Sequence, residues 1–374
     1  MSGNRLATAV ACVAALAGVG CGGSTAPPPV TVATGEWCTA RPDDAWRTWL
    51  DRAPVGLSRT ASVTPWALAG DGRSFFASIA SPDFSGVVRI DATANTAVRI
   101  RRFRDPRQFQ AVGGFDGRYL VFREYHRLND ELADYTVHAW DANSGESWQI
   151  GGATPDGSGG FFPSPWRDVS VRGGFATWTT GTGNDGLGVV HVYDLVRRID
   201  RIVRRGHPAG SALLDGAVVV WPESPAPGEP ALMRATTVTG APAAVPLALA
   251  GRGLLDGFAT DGRAIALPAD GWQRLSWTAD AATPPHTVVS PPADQVIANG
   301  LTVAGPLVGY TVDPTTFLAD ASVGRAIALP DVAYTLVDPR SVLVLGRAGG
   351  TALHPIQPVR LLSRHAMPTI PACG

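Results

Sequence analysis

The sequence predicts an all-β protein of the β-propeller class, with seven four-stranded blades and with six or eight blades as alternatives. Short apolar segments each follow a corner of two turn residues, and successive corners from Asp71 to Asp338 lie 33 to 57 residues apart. A second marker is an Asp that ends an apolar segment and begins a tight hairpin, as at Asp91, Asp141 and Asp194. Repeats of roughly 40–50 residues built from short strands are typical of propellers. A β-helix would need a shorter period, and a pair of β-sandwiches would need a linker near the middle.

The composition fits this fold and restricts the kinds of partner. The chain has 374 residues, of which 43 are Gly and 31 are Pro, as expected of a fold with many turns. Its formal net charge is -1, so the chain lacks the overall positive charge that would indicate binding to nucleic acid or to an anionic membrane. We therefore expect no nucleic-acid partner.

The N-terminal residues indicate export. Residues 1–20 are predicted to be a signal peptide, because Arg5 precedes an apolar run too short for a mature membrane span. The GVGC sequence ending at Cys21 resembles the lipobox of bacterial lipoproteins, although Gly18 stands where that family usually has Leu. The resemblance implies that Cys21 is lipidated and anchors the protein to the cell membrane or outer membrane. The alternative is secretion after cleavage behind Ala26.

The next segments are a tether and a short helical region. Residues 21–35 are rich in Gly, Ser, Thr and Pro, so we predict a flexible tether. Within residues 36–62, a short helix is predicted over Pro42–Ala53, with Asp43 or Asp44 as its cap. Its apolar side chains are expected to pack on the propeller, which spans residues 63–374, rather than to form a ligand site; these are Ala45, Trp46, Trp49 and Leu50.

Two cysteines remain in the folded region once Cys12 and Cys21 are set aside. Cys38 and Cys373 lie at opposite ends of that region, and export would place them in an oxidising compartment. We predict a disulfide between them, with two free thiols or a metal-binding pair as alternatives. The chain has no C-x-x-C motif or Cys/His cluster that would favour a metal.

The hairpins carry a family resemblance. The segments around Asp91, Asp141 and Asp194 resemble the hairpins of WD40-like, TolB-like and quinoprotein-type propeller repeats. The segment AWDANSGESW is similar to the A-x-D-x-x-T-G-x-x-x-W repeat of quinoproteins, with Ser144 in place of Thr and one residue fewer before Trp148. Only this unit approaches a motif, so the resemblance implies a fold and no specific activity.

The seven His and the Gly-rich segments form no recognised motif for catalysis or metal binding. The sequence contains no H-E-x-x-H, no G-x-S-x-G and no P-loop. The stretch Gly181–Gly186 resembles a calcium loop in composition only, and a plain hairpin is the simpler interpretation. His138 and His191 precede hairpin Asp residues at matching positions, which predicts a structural role between blades. We therefore expect no catalytic residues, no metal and no cofactor.

Charged residues separate into two groups. Arginines concentrate in the predicted outer strands, where they either protect the edges or form a basic flank for anionic polymers; they are Arg99, Arg101, Arg102, Arg104, Arg197, Arg198, Arg201, Arg204 and Arg205. The loops on one face carry acidic and aromatic side chains, which we predict to contact a partner; they are Asp83, His126, Asp130, Glu131, Asp134, Trp166, Asp185, Trp221 and Glu223.

These observations predict a monomeric, non-catalytic lipoprotein of the cell envelope. Its propeller would bind a protein or glycan through the loop face, and it would contact the membrane only through its lipid anchor. The alternative is an enzyme, a quinoprotein-like oxidoreductase or a lyase, that uses the central channel.

Overall fold

The computed structural model describes residues 37–59, 61–103, 111–126, 133–163, 168–250, 258–269, 273–289, 297–312, 314–347 and 357–372. Within these ranges the chain is built almost entirely of short antiparallel strands. They follow one another as meanders, which we number in chain order.

The strands of the first four meanders are β2 (Ser62–Leu68), β3 (Ser74–Ala80), β4 (Ser85–Asp91) and β5 (Thr96–Arg102) in meander 1; β6 (Ala111–Phe115), β7 (Tyr119–Tyr125), β8 (Tyr135–Asp141) and β9 (Ser147–Gly152) in meander 2; β10 (Ser170–Arg172), β11 (Phe175–Gly181), β12 (Gly188–Asp194) and β13 (Ile199–Pro208) in meander 3; and β14 (Leu213–Asp215), β15 (Val218–Ser224) and β16 (Leu232–Thr237) in meander 4.

The remaining strands are β17 (Ala259–Thr260), β18 (Ile265–Ala269), β19 (Arg274–Thr278) and β20 (His286–Val289) in meander 5; β21 (Ile297–Ala304), β22 (Leu307–Val312), β23 (Thr315–Asp320) and β24 (Arg325–Leu329) in meander 6; and β25 (Val332–Val337), β26 (Ser341–Gly346) and β27 (Val359–Ser363) in meander 7.

The burial of each strand follows from its place in the meander. The second strands are apolar on both faces because neighbouring meanders cover both sides of the sheet, and all seven residues of β7 are buried. The outer strand β5 is instead exposed along most of its length, and its exposed residues include Thr96, Arg99 and Arg102. The turn residues of the sequence predict strands in meander 2 at Tyr119–Glu124, Tyr135–Trp140 and Ser147–Ile150, and each observed strand ends within two residues of that limit.

Packing between meanders builds the ring. The first strands of adjacent meanders contact one another, which places these strands nearest the axis. Hydrophobic clusters join each meander to the next, and one of them joins meander 1 to meander 7 through Phe75, Ile90, Leu343 and Leu345. The predicted all-β propeller is therefore confirmed. Seven blades stays a prediction, because meanders 4 and 7 each show three strands within the described residues.

The ring has two distinct faces. Strand direction alternates in a meander, so the turns between first and second strands lie on the same side as the turns between third and fourth strands. We call this side the corner face, since it carries the predicted corners such as Asp71-Gly72 and Asp261-Gly262. The opposite side carries the loops between second and third strands and the connections between meanders, and we call it the loop face.

The residues before meander 1 clasp the outside of the ring. Strand β1 (Cys38–Ala40) pairs in parallel with β24, and its first residue lies opposite Arg325. Helix α1 (Asp44–Leu50) follows, and Asp43 caps it by accepting a hydrogen bond from the Trp46 amide at 3.0 Å. The two tryptophans of α1 are buried against meanders 6 and 7, which confirms their predicted packing role. Ala45 of the predicted apolar face is exposed.

Two 3₁₀ helices complete the described secondary structure, at Gly56–Arg59 and Arg364–Ala366. Within the ranges described above, the longest helix is much too short and too polar to cross a bilayer.

The N-terminal and C-terminal ends of the described region lie close together. Arg325, which pairs with Cys38, donates a side-chain hydrogen bond to the Ile370 carbonyl at 3.3 Å. Cys38 is disulfide-bonded. Its predicted partner Cys373 lies outside the described residues, as do Cys21, the signal peptide and the tether.

Candidate functional site

The exposed acidic residues of the loop face lie where the sequence predicts them. Asp83 is exposed in the turn between β3 and β4, and Asp185 is exposed in the turn between β11 and β12. In the second turn, the Thr182 amide donates to the Leu187 carbonyl at 2.8 Å, which confirms a plain hairpin at Gly181–Gly186. Asp130, Glu131 and Trp166 of the predicted site lie outside the described residues.

Meander 2 gathers a polar group at its loop-face end, which we call the loop-face cluster: Glu124, His126, Asp134, Thr136 and His138. His126 directly follows β7, and its Nδ1 lies 3.1 Å from Asp134 Oδ1. Its Nε2 lies 3.0 Å from Thr136 Oγ1, and His138 Nε2 lies 2.8 Å from the same hydroxyl. The structure thus brings together two predicted site residues, His126 and Asp134, with three that were not predicted for the site.

A hydroxyl group links the two imidazoles of this cluster. Thr136 Oγ1 lies within hydrogen-bond distance of both rings and can donate one hydrogen bond and accept two. Glu124 is fully buried, with its Oε2 3.5 Å from His138 Nε2 and its Oε1 4.0 Å from His126 Nε2. Both imidazoles therefore lie beside a buried carboxylate.

Glu124 also connects two meanders. Arg101 of the outer strand β5 donates from its Nε to Glu124 Oε2, so the outer strand of meander 1 is ion-paired with the second strand of meander 2. Arg204 of β13 does the same to Glu223 of β15, with its Nε 2.8 Å from Oε1. These two arginines are ion-paired with buried carboxylates of the next meander, although half of the Arg204 side chain is exposed, so they link meanders, a role that was not predicted for them.

Trp221 and Glu223 occupy a strand and not a loop. Both lie in β15, where Trp221 is 3% exposed and Glu223 is 4% exposed. Trp221 Nε1 lies 3.2 Å from Glu223 Oε2, and the tryptophan ring belongs to the cluster between meanders 3 and 4. Packing between meanders buries both side chains, so the structure gives them a structural role in place of the predicted partner contact.

The matching histidines make most of their contacts inside their own meanders. His138 stacks on Phe122, with ring centroids 5.6 Å apart. His191 stacks on Trp178 at 4.7 Å, and its Nδ1 lies 3.0 Å from Asp200 Oδ2 of the neighbouring strand. Both rings therefore have a structural role. These contacts lie within one meander, whereas the sequence predicted contacts between blades.

The corner aspartates act as repeated links around the axis. Asp261 Oδ1 accepts from the amides of Arg263 and Ala264, both at 2.9 Å, which closes its own turn. Its Oδ2 accepts from the Gly305 amide at 2.6 Å, which holds the corner of the next meander. Asp116 makes the same link to the Gly174 amide at 2.8 Å.

Charged side chains also converge near the axis on the corner face. Arg172 of β10 donates through Nη1 to the Asp261 carbonyl at 2.6 Å, and so reaches from meander 3 to meander 5. Asp215 lies between them at the end of β14. Burial raises the pKa of Asp215, and the Asp261 carboxylate raises it further, against the opposing effect of Arg172. The guanidinium–carbonyl bond and the corner links tie meanders together around the axis.

Metal binding has no support in the described ranges, where no group of three or more His, Cys, Asp or Glu side chains is arranged to hold an ion. Sequence reasoning missed Glu124, Thr136 and Arg101 as members of a site. The available signal was the pair Arg123-Glu124 in the otherwise apolar strand YLVFREY, since buried charges require partners.

Comparison with known proteins supports the fold. No family model matches the chain, and no curated protein matches it in sequence. A prolyl endopeptidase structure matches with a TM-score of 0.54 and 14% identity, over 86% of this chain and 51% of that one. The acylaminoacyl peptidase of Pyrococcus horikoshii matches with a TM-score of 0.51 and 10% identity, over 84% of this chain and 53% of that one.

The chain therefore spans about half the length of those peptidases. The β-propeller domain of the Trilobed protease from Pyrococcus furiosus, described as having an open velcro topology, matches with a TM-score of 0.52 and 11% identity. That match covers 81% of this chain and 95% of the propeller domain. At these identities the similarity shows a shared propeller fold.

Proposed function

We propose that this protein is an exported, lipid-anchored propeller that binds a protein or glycan partner of the cell envelope through its loop face, without catalysing a reaction. One observation carries the proposal: the chain enters the ring at the corner face. Strand β24 runs from the corner face to the loop face, and β1 is parallel to it, so Cys38 lies at the corner end. The Cys38 amide accordingly lies 3.4 Å from the Gly324 carbonyl in the turn before β24.

A tether that arrives at the corner face leaves the loop face free. Fifteen residues separate Cys21 from Trp37, and all but one of them belong to the predicted tether. A flexible chain of that length has a root-mean-square span of roughly 20–23 Å. An anchor at Cys21 would therefore hold the corner face near the bilayer and turn the loop face outward.

The loop face offers charge and a positioned imidazole to a partner. Asp83 and Asp185 are exposed, and the side chains of His126 and Asp134 are 17% and 16% exposed. Acidic side chains favour a basic partner surface and give specificity more than affinity. The clusters between meanders hold these loops on a rigid ring, which limits the ordering cost of binding.

Photo-crosslinking in the native host tests the proposal. A photo-crosslinking amino acid is placed at Asp83, at Asp185 or, as a matched control, at the exposed Arg263 on the corner face. We expect protein or glycan adducts from the two loop-face positions and none from position 263. Adducts from position 263 alone, or equal adducts from all three positions, would overturn the proposed loop-face contact.

A second readout separates binding from catalysis. The double variant Asp83→Asn, Asp185→Asn should lower the yield of partner retained on the purified protein, while the same change at Asp51, the residue that follows α1, should leave it unchanged. A partner chemically altered during incubation with the wild-type protein would favour the enzyme alternative.

A further inference from the structure

A polar cavity of about 390 Å³ opens on the corner face between meanders 1 and 7. Its walls include the turn at Asp71, the turn at Arg340, and the segment that follows β27, with Ser363, Arg364 and His365. Cavities of this size accommodate small ligands. We propose that this cavity, the corner pocket, binds a phosphate group.

The positive charge of the corner pocket is not neutralised by ion pairs. Within the described ranges, neither Arg340 nor Arg364 has a carboxylate oxygen within 4.0 Å of its guanidinium nitrogens. Arg364 Nη1 donates to the carbonyls of Ala304 at 3.0 Å and Asp338 at 3.3 Å, which fixes the guanidinium without cancelling its charge. A guanidinium held this way still has N–H donors for an anion.

The carboxylates around these arginines are Asp71 at the pocket wall and, acting electrostatically on Arg364, those of Asp320, Asp338 and Asp261. Asp71 is ion-paired with Arg89 at 2.9 Å, and its Oδ1 accepts from the Ser74 amide at 2.7 Å. Asp338 Oδ1 accepts from the Arg340 amide at 2.6 Å, and its Oδ2 accepts from the Ser341 hydroxyl at 2.9 Å. Arg89 thus neutralises Asp71, whereas Asp338 keeps its charge, and within the described ranges the corner pocket offers two guanidinium groups that are not paired with a carboxylate.

The two arginine residues are linked through the backbone. The Arg364 amide donates to the Arg340 carbonyl at 2.9 Å, which ties the 3₁₀ helix to the turn between β25 and β26. A Cβ on Gly72 would lie 3.3 Å from Arg340 Cβ, so the glycine turn packs directly against the arginine stem. Ser363 makes no side-chain capping bond and also lines the pocket. Paired arginines that match several acceptor oxygens are typical of phosphate recognition.

The position of the corner pocket indicates where the phosphate would come from. The pocket lies on the face where the N-terminal segment enters the ring, and this step rests on the lipid anchor of the proposed function. With Cys21 in the membrane, the corner pocket would face phospholipid headgroups within the span of the tether. The headgroup of an anionic phospholipid is the source that this orientation favours, and a soluble phosphate ester has the same chemistry.

The first experiment measures phosphate binding without a membrane. The full mature chain is titrated with sn-glycerol 3-phosphate by calorimetry, and sodium acetate is used as a competitor. We expect Arg340→Gln to weaken binding at least tenfold. Arg263→Gln is the matched control, because it removes the same charge from an exposed turn on the same face outside the pocket. Equal binding by both variants, or displacement by equimolar acetate, would overturn the phosphate assignment.

The second experiment separates the two sources. The chain with Cys21→Ser, which carries no acyl group, is sedimented with phosphatidylcholine vesicles with or without phosphatidylglycerol. Binding that requires phosphatidylglycerol and is lost in Arg340→Gln supports a lipid headgroup as the ligand. Binding to glycerol phosphate without binding to vesicles supports a soluble ester and leaves the loop-face proposal untouched. If the chain binds neither glycerol phosphate nor vesicles, the corner pocket is not a phosphate site. This outcome is also independent of the loop-face crosslinks.

Discussion

At the scale of single residues, the carboxylates of this protein mainly hold the ring together. Glu124 and Glu223 are buried beside arginines from the preceding meander, and Asp116 and Asp261 link successive corners through backbone amides. A buried carboxylate that loses its partner costs far more than an exposed one, because its charge is no longer compensated. Acidic residues near a loop in the sequence therefore need not belong to a binding surface.

Asp215 provides a test at this scale. Its pKa is raised in the folded protein, mainly by burial, so the ionised carboxylate disfavours folding. Because its pKa is raised, the folded protein holds the Asp215 proton more tightly than the unfolded chain does. The resulting stabilisation is fully present below the unfolded pKa of about 3.9 and is lost as the pH rises through the folded pKa. We expect Asp215→Asn to raise the free energy of unfolding at pH 7 by up to about 1 kcal/mol, a value reduced for partial solvent screening.

The measurement is urea unfolding of wild-type and Asp215→Asn protein at several pH values between 4 and 7. The gain should shrink as the pH falls. Asp185→Asn, at an exposed loop position, serves as the control and should show no such trend. A variant that is less stable than the wild type at pH 7 would contradict the argument and indicate that ion pairing with Arg172 outweighs burial.

At the scale of elements, α1 and β1 form a clasp on meanders 6 and 7. Trp46 Nε1 donates to the Thr369 carbonyl at 3.0 Å, and Trp49 Nε1 donates to the Ser363 carbonyl at 3.2 Å. The two rings meet edge to face with centroids 5.2 Å apart. The helix has only seven residues, so its stability comes from this packing rather than from its own hydrogen bonds.

Removing one ring tests the clasp. Trp46 is fully buried, and Trp46→Ala should lower the free energy of unfolding by about 3–5 kcal/mol. Arg47→Ala, at an exposed position on the same helix, should change it by less than about 0.5 kcal/mol. Chemical denaturation gives both values, and limited proteolysis should cut the Trp46 variant first near its two ends. Equal stability of the two variants would show that the helix contributes little to closure.

At the scale of the whole molecule, closure depends on two ends that are far apart in sequence. Meanders 1 and 7 share a hydrophobic cluster, and Tyr334 of β25 donates its hydroxyl proton to the Pro65 carbonyl of β2. The N-terminal segment adds a backbone bond from Val55 to the Val359 carbonyl at 2.8 Å. A covalent link from Cys38 to Cys373 would hold the same junction. On the chain-entropy model, a disulfide that closes a loop of this length stabilises the folded protein by roughly 5–6 kcal/mol at most.

Intact mass spectrometry of the mature protein, before and after reduction, tests both covalent predictions. We expect a diacylglyceryl mass on Cys21, a gain of two daltons on reduction, and a peptide joining Cys38 to Cys373. Cys373→Ser should lower the denaturation midpoint, whereas reduction of that variant should have no further effect. A Cys38 linked to a different thiol would refute the predicted closure, and cleavage after Ala26 would refute the anchor.

The sequence by itself determined the fold class, the corners, the capped helix and the hairpin at Gly181–Gly186, because turn residues and apolar alternation are local properties of the chain. It also indicated exposed acids at Asp83 and Asp185, since each lies in a short turn between strands. Only the tertiary structure decided that Trp221 and Glu223 are buried, and that Arg101 and Arg204 reach across meanders. The partners of these side chains lie on another meander, roughly 20 residues away, and burial depends on packing that no local pattern encodes. The same reason explains why the corner pocket was not predicted. Its walls come from meanders 1 and 7, which only ring closure brings together.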